Sequence, residues 1–319
     1  GYNYAESCAS IGLALFGMRM AQITKNAKYA DVVERALYNT VLAGIALDGK
    51  SFFYVNPLEV WPASCLDRTS KEHVKPVRQK WFGVACCPPN IARTLASLGQ
   101  YIYSWDKENQ ALYMNLFVSG ETEVETENGS LKLNVTTKFP WEMRVSLNIE
   151  NETGKEVKLL LRIPDYAQNY KILCDGRPID YKNVNGYAEV IVCDSMQAEI
   201  TFDAEAQFVR ANPQVREDAG KVSIVRGPLV YCLEEVDNGA NLSAISVDTS
   251  QKPKCETGKI CNGCVVIKAH GKRLCDEQWN GSLYGTQKLK ERDVEITAVP
   301  YYCWNNRGIG EMEVWIRES

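Results

Sequence analysis

The sequence is poor in histidine, with only His73 and His270 among 319 residues. No serine or cysteine motif surrounds either histidine, so a hydrolase triad is not supported. The glycines at Gly83 and Gly99 are isolated, and no glycine-rich phosphate loop is present. Any chemistry in this chain therefore depends on cysteine and carboxylate side chains.

Long apolar runs and an excess of basic charge are also missing. The longest apolar candidate, residues 11–20, contains Arg19 and is shorter than the ~20 residues that a membrane helix needs. Lys plus Arg is 36 and Asp plus Glu is 40, which gives a net charge of −4. The sequence pI is about 5.5, whereas nucleic-acid binders normally carry a basic patch. We therefore expect neither a membrane nor a nucleic-acid partner.

The length predicts two or three domains, since a domain usually takes ~150 residues. The chain opens at Gly1 with no Met and no basic leader region, so we expect it to be a piece of a longer protein. Twelve cysteines are scattered without regular spacing, and two of them are adjacent. Such usage favours a reducing compartment over a disulfide framework, which predicts a cytoplasmic protein.

The first hundred residues have helical periodicity. Apolar side chains recur at helical spacing over residues 5–23, 28–47 and 90–104. Residues 51–85 interrupt this pattern with three prolines and many polar residues. We predict a long irregular loop there, and such loops are often functional.

From residue 111 onward the pattern changes to short β-type runs separated by turn signals such as Asn128-Gly129 and Asp175-Gly176. Residues 111–205 predict a β-sandwich, and a second strand series follows from residue 221. The expected strands are residues 111–118, 131–137, 144–149, 157–163, 187–192, 199–202, 221–225, 229–234, 264–269, 294–299 and 311–316.

Two short motifs contain suitable metal ligands. One is Glu6-Ser7-Cys8, and the other is the adjacent pair Cys86 and Cys87 before a predicted helix. Zinc takes four thiolate, imidazole or carboxylate ligands in a tetrahedron, and a helix N-terminus favours thiolate. The alternative is that these cysteines simply pack in a core, because free cysteine is often buried.

Two further segments have open interpretations. Cys261 and Cys264 form a CxxC pair that a structural zinc could use, but we favour an ordinary turn in a reduced loop. In the long loop, Tyr54, Asn56 and Glu59 could bind a sugar through hydrogen bonds and ring stacking. An ordinary strand or loop explains that segment equally well.

These motifs together resemble those of glycoside hydrolase family 127, the β-L-arabinofuranosidases. The specific part is Tyr4-Ala-Glu-Ser-Cys8 with Cys86-Cys87-Pro-Pro-Asn-Ile-Ala-Arg93. Supporting motifs lie at residues 54–59, 225–231, 298–302 and 304–315. The resemblance covers essentially the whole chain but only the C-terminal half of the family's length.

The resemblance implies a multi-domain α + β fold. It places part of an (α/α)6 helical barrel at residues 1–107, followed by two antiparallel β-sandwich domains at residues 108–208 and 209–319. The implied substrate is an oligosaccharide or glycoside from which non-reducing-end β-L-arabinofuranose is released with retention.

The resemblance also implies the site residues. Zinc would be bound by Glu6, Cys8, Cys86 and Cys87, with Cys86 as the nucleophile and Tyr54 as a contact near the sugar. A cysteine nucleophile departs from the usual pair of carboxylates, but a metal-held thiolate can attack the anomeric carbon. Iron or cobalt would also suit thiolate ligands.

Other implications concern what lies outside the chain. In the family, the general acid/base Glu precedes the Glu-x-Cys motif, which here places it before Gly1. We therefore expect the isolated chain to be inactive. Half of a helical barrel would expose an apolar patch, so we also expect self-association through the helices. The alternatives are a non-catalytic carbohydrate-binding module and a structural zinc module.

Overall fold

The computed structural model describes residues 4–258, 260 and 263–319. The chain forms two compact units that do not follow its linear order. The terminal unit combines the residues up to Ala9 with Tyr38–Pro89 and Ala206–Ser319. The middle unit combines Ser10–Leu37 with Asn90–Glu205. The division into segments at residues 107 and 208 stays a prediction.

Helices occur almost entirely in the first third of the described chain. They are α1 (Ser7–Thr24), α2 (Lys28–Ala36), α3 (Cys87–Ala96), α4 (Gly99–Ile102) and α5 (Glu235–Asn238). No described helix is both long and apolar enough to cross a membrane. Because the described residues contain few helices, the (α/α)6 barrel also stays a prediction.

Two predicted helix ends differ from the structure. The helix expected over residues 28–47 leaves α geometry after Ala36 and continues as the π-helical turn Leu37–Val41. The helix expected to reach residue 104 ends at Ile102, because Tyr103 begins a strand that pairs with Met114. The helix ends there because the following residues pair with the next strand of the chain, and helical periodicity alone does not predict this pairing.

Helices α1 and α2 are positioned by close packing within the middle unit. Buried positions of α1 recur every three or four residues, at Ile11, Ala14, Met18 and Ala21. Gly17 lies at the contact with α2, where an added Cβ would approach Val33 to 3.0 Å. A larger side chain at this position would therefore push the two helices apart.

The rest of the fold is β-structure. The strands are β1 (Glu59–Val60), β2 (Tyr103–Asp106), β3 (Ala111–Met114), β4 (Gly120–Thr126), β5 (Gly129–Thr137), β6 (Arg144–Asn151), β7 (Val157–Arg162), β8 (Gln168–Cys174), β9 (Arg177–Ile179), β10 (Lys182–Val184), β11 (Tyr187–Val192), β12 (Met196–Asp203), β13 (Gln207–Arg210), β14 (Lys221–Arg226), β15 (Leu229–Glu234), β16 (Ile245–Val247), β17 (Lys254–Thr257), β18 (Val265–Cys275), β19 (Lys290–Pro300), β20 (Met312–Glu313) and β21 (Ile316–Glu318).

The middle unit contains two sheets, as expected for a β-sandwich. Over the described residues the strand orders are β10-β11-β7-β3-β2 and β4-β5-β6-β12-β8-β9. Strands β5 and β6 bury alternate side chains, which is typical of a sheet with one face on the core. The pairing is antiparallel except between β3 and β7, which run parallel.

The terminal unit is built on one extended sheet. Its described strands follow the order β1-β20-β15-β19-β18-β16-β21-β14-β13, with β17 attached to β18. The only departure from antiparallel pairing among these strands is the parallel pair β16 and β21. Strand β1 comes from the segment predicted as an irregular loop, so this segment contributes to the sheet of the C-terminal region.

Aromatic and cationic side chains fix the long loop to this sheet. The ring of Phe53 stacks on Trp304 at a centroid distance of 4.6 Å and an interplanar angle of 6°. The Arg78 guanidinium lies over Phe53 and donates hydrogen bonds to the carbonyls of Ala43 and Trp304. The residues around Tyr54 are therefore held in a packed core.

A buried ion pair stabilises the middle unit. Arg162 at the end of β7 is fully buried and donates to Asp31 and Glu34 of α2. The Tyr166 hydroxyl also donates to Glu34. The two carboxylates therefore neutralise a fully buried cation, whose Nε has no hydrogen-bond partner among the described residues.

Candidate metal centre

Four predicted ligands converge in the terminal unit. One donor atom from each of Glu6, Cys8, Cys86 and Cys87 lies within 4.8 Å of all the others. The Sγ atoms of Cys8 and Cys87 are 3.8 Å apart, and those of Cys86 and Cys87 are 4.0 Å apart. Glu6 Oε1 lies 3.6 Å from Cys86 Sγ. The two motifs therefore form a single cluster.

Two of the thiols stand in the first turns of helices. Cys8 is the second residue of α1, and Cys87 is the first residue of α3. The exposed N–H groups of a helix N-terminus carry partial positive charge, which stabilises a thiolate. The chain thus brings two electropositive helix starts to the same cluster.

A short backbone bridge positions Glu6. Residues Glu6 and Val55 form an isolated antiparallel bridge, and the Asn56 N–H donates to the Ala5 carbonyl at 3.1 Å. The Asn56 side chain donates to the Ala5 carbonyl and to Ser7 Oγ. This bridge fixes the start of α1 against the segment that carries Tyr54.

Tyr54 lies directly beside the outermost thiol. Its hydroxyl is 3.4 Å from Cys86 Sγ, and Cys86 is the exposed member of the cluster. The hydrogen bond with Cys86 raises the pKa of Tyr54 above its usual value, and burial adds to the effect. The Cys87 pKa is also raised, by burial first and then by the neighbouring Cys8 thiol.

The donor set fits zinc. A tetrahedral ion with Zn–S bonds of about 2.3 Å separates its sulfur ligands by roughly 3.8 Å. The sulfur–sulfur separations of 3.8 Å between Cys8 and Cys87 and 4.0 Å between Cys86 and Cys87 agree with that edge length. Three thiols and one carboxylate are also ligand types that zinc accepts. The cluster can therefore hold a metal ion.

The other sequence candidates have different surroundings. Asn56 is 1% exposed and supports the Glu6 turn, so its side chain is not available to a sugar. Glu59 lies in β1 and accepts a hydrogen bond from Lys71 at 2.7 Å. His73 stacks on the Tyr4 ring at 6.2 Å instead of lying free in solvent. In the CxxC pair, Cys264 is buried, while Cys261 lies outside the described residues.

Two supporting residues were not singled out from the sequence. Ser7 is fully buried, and its hydroxyl donates to the Phe53 carbonyl. Phe82 contacts the Tyr54 ring at a centroid distance of 6.0 Å. A buried hydroxyl needs a partner, but its partner is distant in sequence, so no local signal identifies it.

Comparison with known proteins gives the family of the chain. The sequence model for the β-L-arabinofuranosidase GH127 catalytic domain matches residues 1–100. The GH127 middle domain matches residues 111–205, and the family's C-terminal domain matches residues 206–317. This chain therefore belongs to glycoside hydrolase family 127, which confirms the family identified from its motifs.

Individual relatives agree with this assignment. A non-reducing end β-L-arabinofuranosidase of Bifidobacterium longum subsp. longum is 34% identical over 98% of this chain and 49% of its own length. The crystal structure of a GH127 β-L-arabinofuranosidase from Geobacillus stearothermophilus T6 is 43% identical with a TM-score of 0.93. That match covers 99% of this chain and 50% of the relative. The chain thus spans about half the length of these relatives.

Proposed function

We propose that this chain carries the metal site and the nucleophile of a retaining glycosidase that releases non-reducing-end β-L-arabinofuranose. The observation that carries the proposal is the position of Cys86 at the exposed edge of the donor cluster, with Tyr54 and Glu6 beside its sulfur. The activity named for the two relatives supports the choice of sugar. The substrate would be a glycoside or oligosaccharide.

Each residue has a separate task in this proposal. Glu6, Cys8, Cys86 and Cys87 would hold zinc. Burial raises the pKa of Cys87, and a bound ion together with the helix start would offset this effect and favour its thiolate. Bound zinc would keep the nucleophilic sulfur deprotonated at neutral pH. The Tyr54 hydroxyl lies close enough to Cys86 Sγ to orient it and to contact the sugar that it attacks.

The reaction would proceed in two displacements. The Cys86 thiolate attacks the anomeric carbon, so a C–S bond forms as the bond to the leaving oxygen breaks, and a general acid protonates that oxygen. In the second step the same group acts as a general base and takes a proton from water, which attacks the same carbon as the C–S bond breaks and the thiolate returns. Two inversions give net retention. The family resemblance implies that the general acid/base lies before Gly1.

A covalent probe tests the nucleophile. We expect an electrophilic L-arabinofuranose analogue to label the zinc-loaded chain once, at Cys86, as read by intact mass and peptide mapping. The Cys86→Ala variant should lose the label. Cys193, another exposed thiol, is the matched control and should stay unmodified. Zinc binding without labelling at Cys86 would favour the alternative of a structural zinc module. Absence of zinc binding would favour the alternative of a non-catalytic carbohydrate-binding module.

Turnover is a separate matter from labelling. We propose that the isolated chain does not turn over, because the implied proton donor is not among its residues. A chromogenic β-L-arabinofuranoside assay measures this directly. Steady release of the chromophore by the isolated chain would contradict the proposal.

We further propose a three-part division of the chain into residues 1–107, 108–208 and 209–319. Limited proteolysis, which cuts between folded parts, tests this division.

We also propose self-association through α1. The described helix exposes Leu13, Phe16 and Ile23 by 49%, 62% and 75%. Adjacent exposed apolar side chains favour association. Light scattering tests this association. A protein that stays monomeric at all concentrations would contradict it.

The exposed thiols of Cys86, Cys193 and Cys255 also suit a reducing compartment, and we propose a cytoplasmic location on this basis. Cell fractionation tests that location. Recovery of the protein with its thiols oxidised to disulfides would contradict it.

A further inference from the structure

A cavity of about 410 Å³ lies in the terminal unit, outside the four residues of the metal cluster. This volume falls within the range of roughly 300–1,000 Å³ that is usual for small-molecule sites. Four carboxylates and two ammonium groups line it together with His73 and Trp315: they belong to Glu59, Glu217, Asp218, Glu313, Lys71 and Lys221. We call it the Glu313 cavity.

Glu313 is a buried carboxylate without a partner. The residue is 5% exposed, and within the described part of the chain its side chain has no hydrogen bond and no ion pair. It lies directly across from Glu59 in the β1–β20 pair. Like charges at such positions repel, and a buried carboxylate without donors is costly. Burial accordingly raises the pKa of Glu313 to about 7.

The carboxylates of the cavity can accept hydrogen bonds from a ligand that is rich in hydroxyl donors. Lys71 lies 2.7 Å from Glu59, and Lys221 interacts electrostatically with Glu313. The two ammonium groups only partly offset the carboxylates, so the cavity keeps an excess of acceptors for such donors. Sugar hydroxyls can supply the donors that Glu313 lacks, and the half-buried ring of Trp315 offers a surface for the C–H face of a sugar.

The cavity is connected to the metal cluster by a line of aromatic rings. Tyr54, which contacts Cys86, meets Tyr4 edge to face at 6.3 Å. Tyr4 in turn stacks on His73, which borders the cavity. The wall of the cavity is therefore in contact, through His73 and Tyr4, with the tyrosine that lies beside the exposed thiol.

We propose that the Glu313 cavity is a second saccharide-binding site, in which Trp315 stacks on a sugar ring and Glu313 accepts its hydroxyl groups. The site is defined by its own residues and does not rest on the proposed hydrolysis. A role in holding a further sugar unit while another occupies the metal cluster would, in contrast, rest on the proposed function.

Titration calorimetry with L-arabinose as the probe tests this proposal on the 319-residue chain. We expect Trp315→Ala and the isosteric Glu313→Gln each to weaken binding by about tenfold or more, which corresponds to ~1.4 kcal/mol. Trp81→Ala is the matched control, because Trp81 is 70% exposed and does not border the cavity. Circular dichroism verifies that each variant is folded.

A Cys86→Ala arm separates this inference from the proposed function. We expect it to abolish covalent labelling while Trp315-dependent binding of L-arabinose persists. If labelling fails in the wild type but this binding persists, the proposed function falls and the second site stands. If the wild type does not bind L-arabinose, or if either cavity variant retains wild-type affinity, the second site is overturned.

Discussion

The sulfur of Cys8 lies 3.8 Å from the sulfur of Cys87, although 79 positions separate these residues in the chain. This contact joins the first turn of α1 to the start of α3 and completes a donor set of three thiols and one carboxylate. Had the two sulfurs been far apart, no single ion could have bridged the two motifs. The proposed chemistry depends on this contact.

Removal of a central thiol should weaken metal binding strongly. We expect Cys87→Ala to lower zinc affinity by at least ~100-fold, because residues that only support a ligand already contribute about 10–100-fold. Competition with a chromophoric chelator measures the affinity. Cys65→Ala is the control, since Cys65 is also buried in the terminal unit and lies outside the donor cluster, with its thiol near Ser64 Oγ and the Trp61 carbonyl. Equal affinities for the two variants would contradict the metal site.

The Asn56 side chain should be needed for the geometry of Glu6. Its amide donates to the Ala5 carbonyl and to Ser7 Oγ, so Asn56→Ala removes both contacts from the turn that precedes α1. We expect zinc affinity to fall by about 10–100-fold while the fold is kept. Asn134→Ala, at an exposed contact with Glu121, should leave the affinity unchanged. A wild-type zinc affinity for Asn56→Ala would show that the turn that carries Glu6 keeps its conformation without the Asn56 side chain.

Glu313 should make stability depend on pH. Burial raises its pKa from 4.5 to about 7; Glu59 and Glu311 add to the shift, while Lys221 and Arg317 oppose it. The folded state therefore holds a proton that the unfolded state releases, and stability falls as pH rises from about 4.5 to 7. Glu313→Gln should be more stable than the wild type at pH 8, by about 1–3 kcal/mol, and similar at pH 4. Denaturant unfolding at both pH values measures this.

The neighbouring carboxylate provides a control of opposite sign. A hydrogen bond from Lys71 lowers the pKa of Glu59, so its ionised form favours the folded state. Glu59→Gln should therefore lose stability at pH 8, by no more than ~1 kcal/mol because the side chain is 48% exposed. A gain of stability at pH 8 in Glu59→Gln, or no gain in Glu313→Gln, would contradict the opposite directions of the two pKa shifts.

The buried ion pair of the middle unit should be essential for its stability. Arg162→Met would leave Glu34 and Asp31 without their cation, and we expect a loss of about 3–5 kcal/mol. The exposed contact of Arg35 with Asp165 at 3.5 Å serves as the control. Arg35→Met should cost less than ~1 kcal/mol in the same urea unfolding experiment. Similar losses in both variants would contradict the argument from burial.

Most strands could be predicted from the sequence because their signals are local. Strands β5 and β6 alternate buried and exposed side chains, and a Gly-containing turn precedes β5. Nine of the described strands escaped prediction. The two-residue β1 is defined by its pairing with β20, and the seven-residue β4 buries none of its side chains, so neither carries a clear apolar alternation. Asn56 was interpreted as a candidate sugar ligand, but its hydrogen bonds to residues 5–7 bury it.

The sequence by itself determined the family, the order of helices before strands and the identity of the candidate ligands, because periodicity and short motifs are properties of neighbouring residues. Only the tertiary structure decided that Cys8 meets Cys87, that the segment around Tyr54 packs with the C-terminal sheet, and that Glu313 is buried. These relationships join residues far apart in the chain. They arise from packing and burial, which no local pattern records.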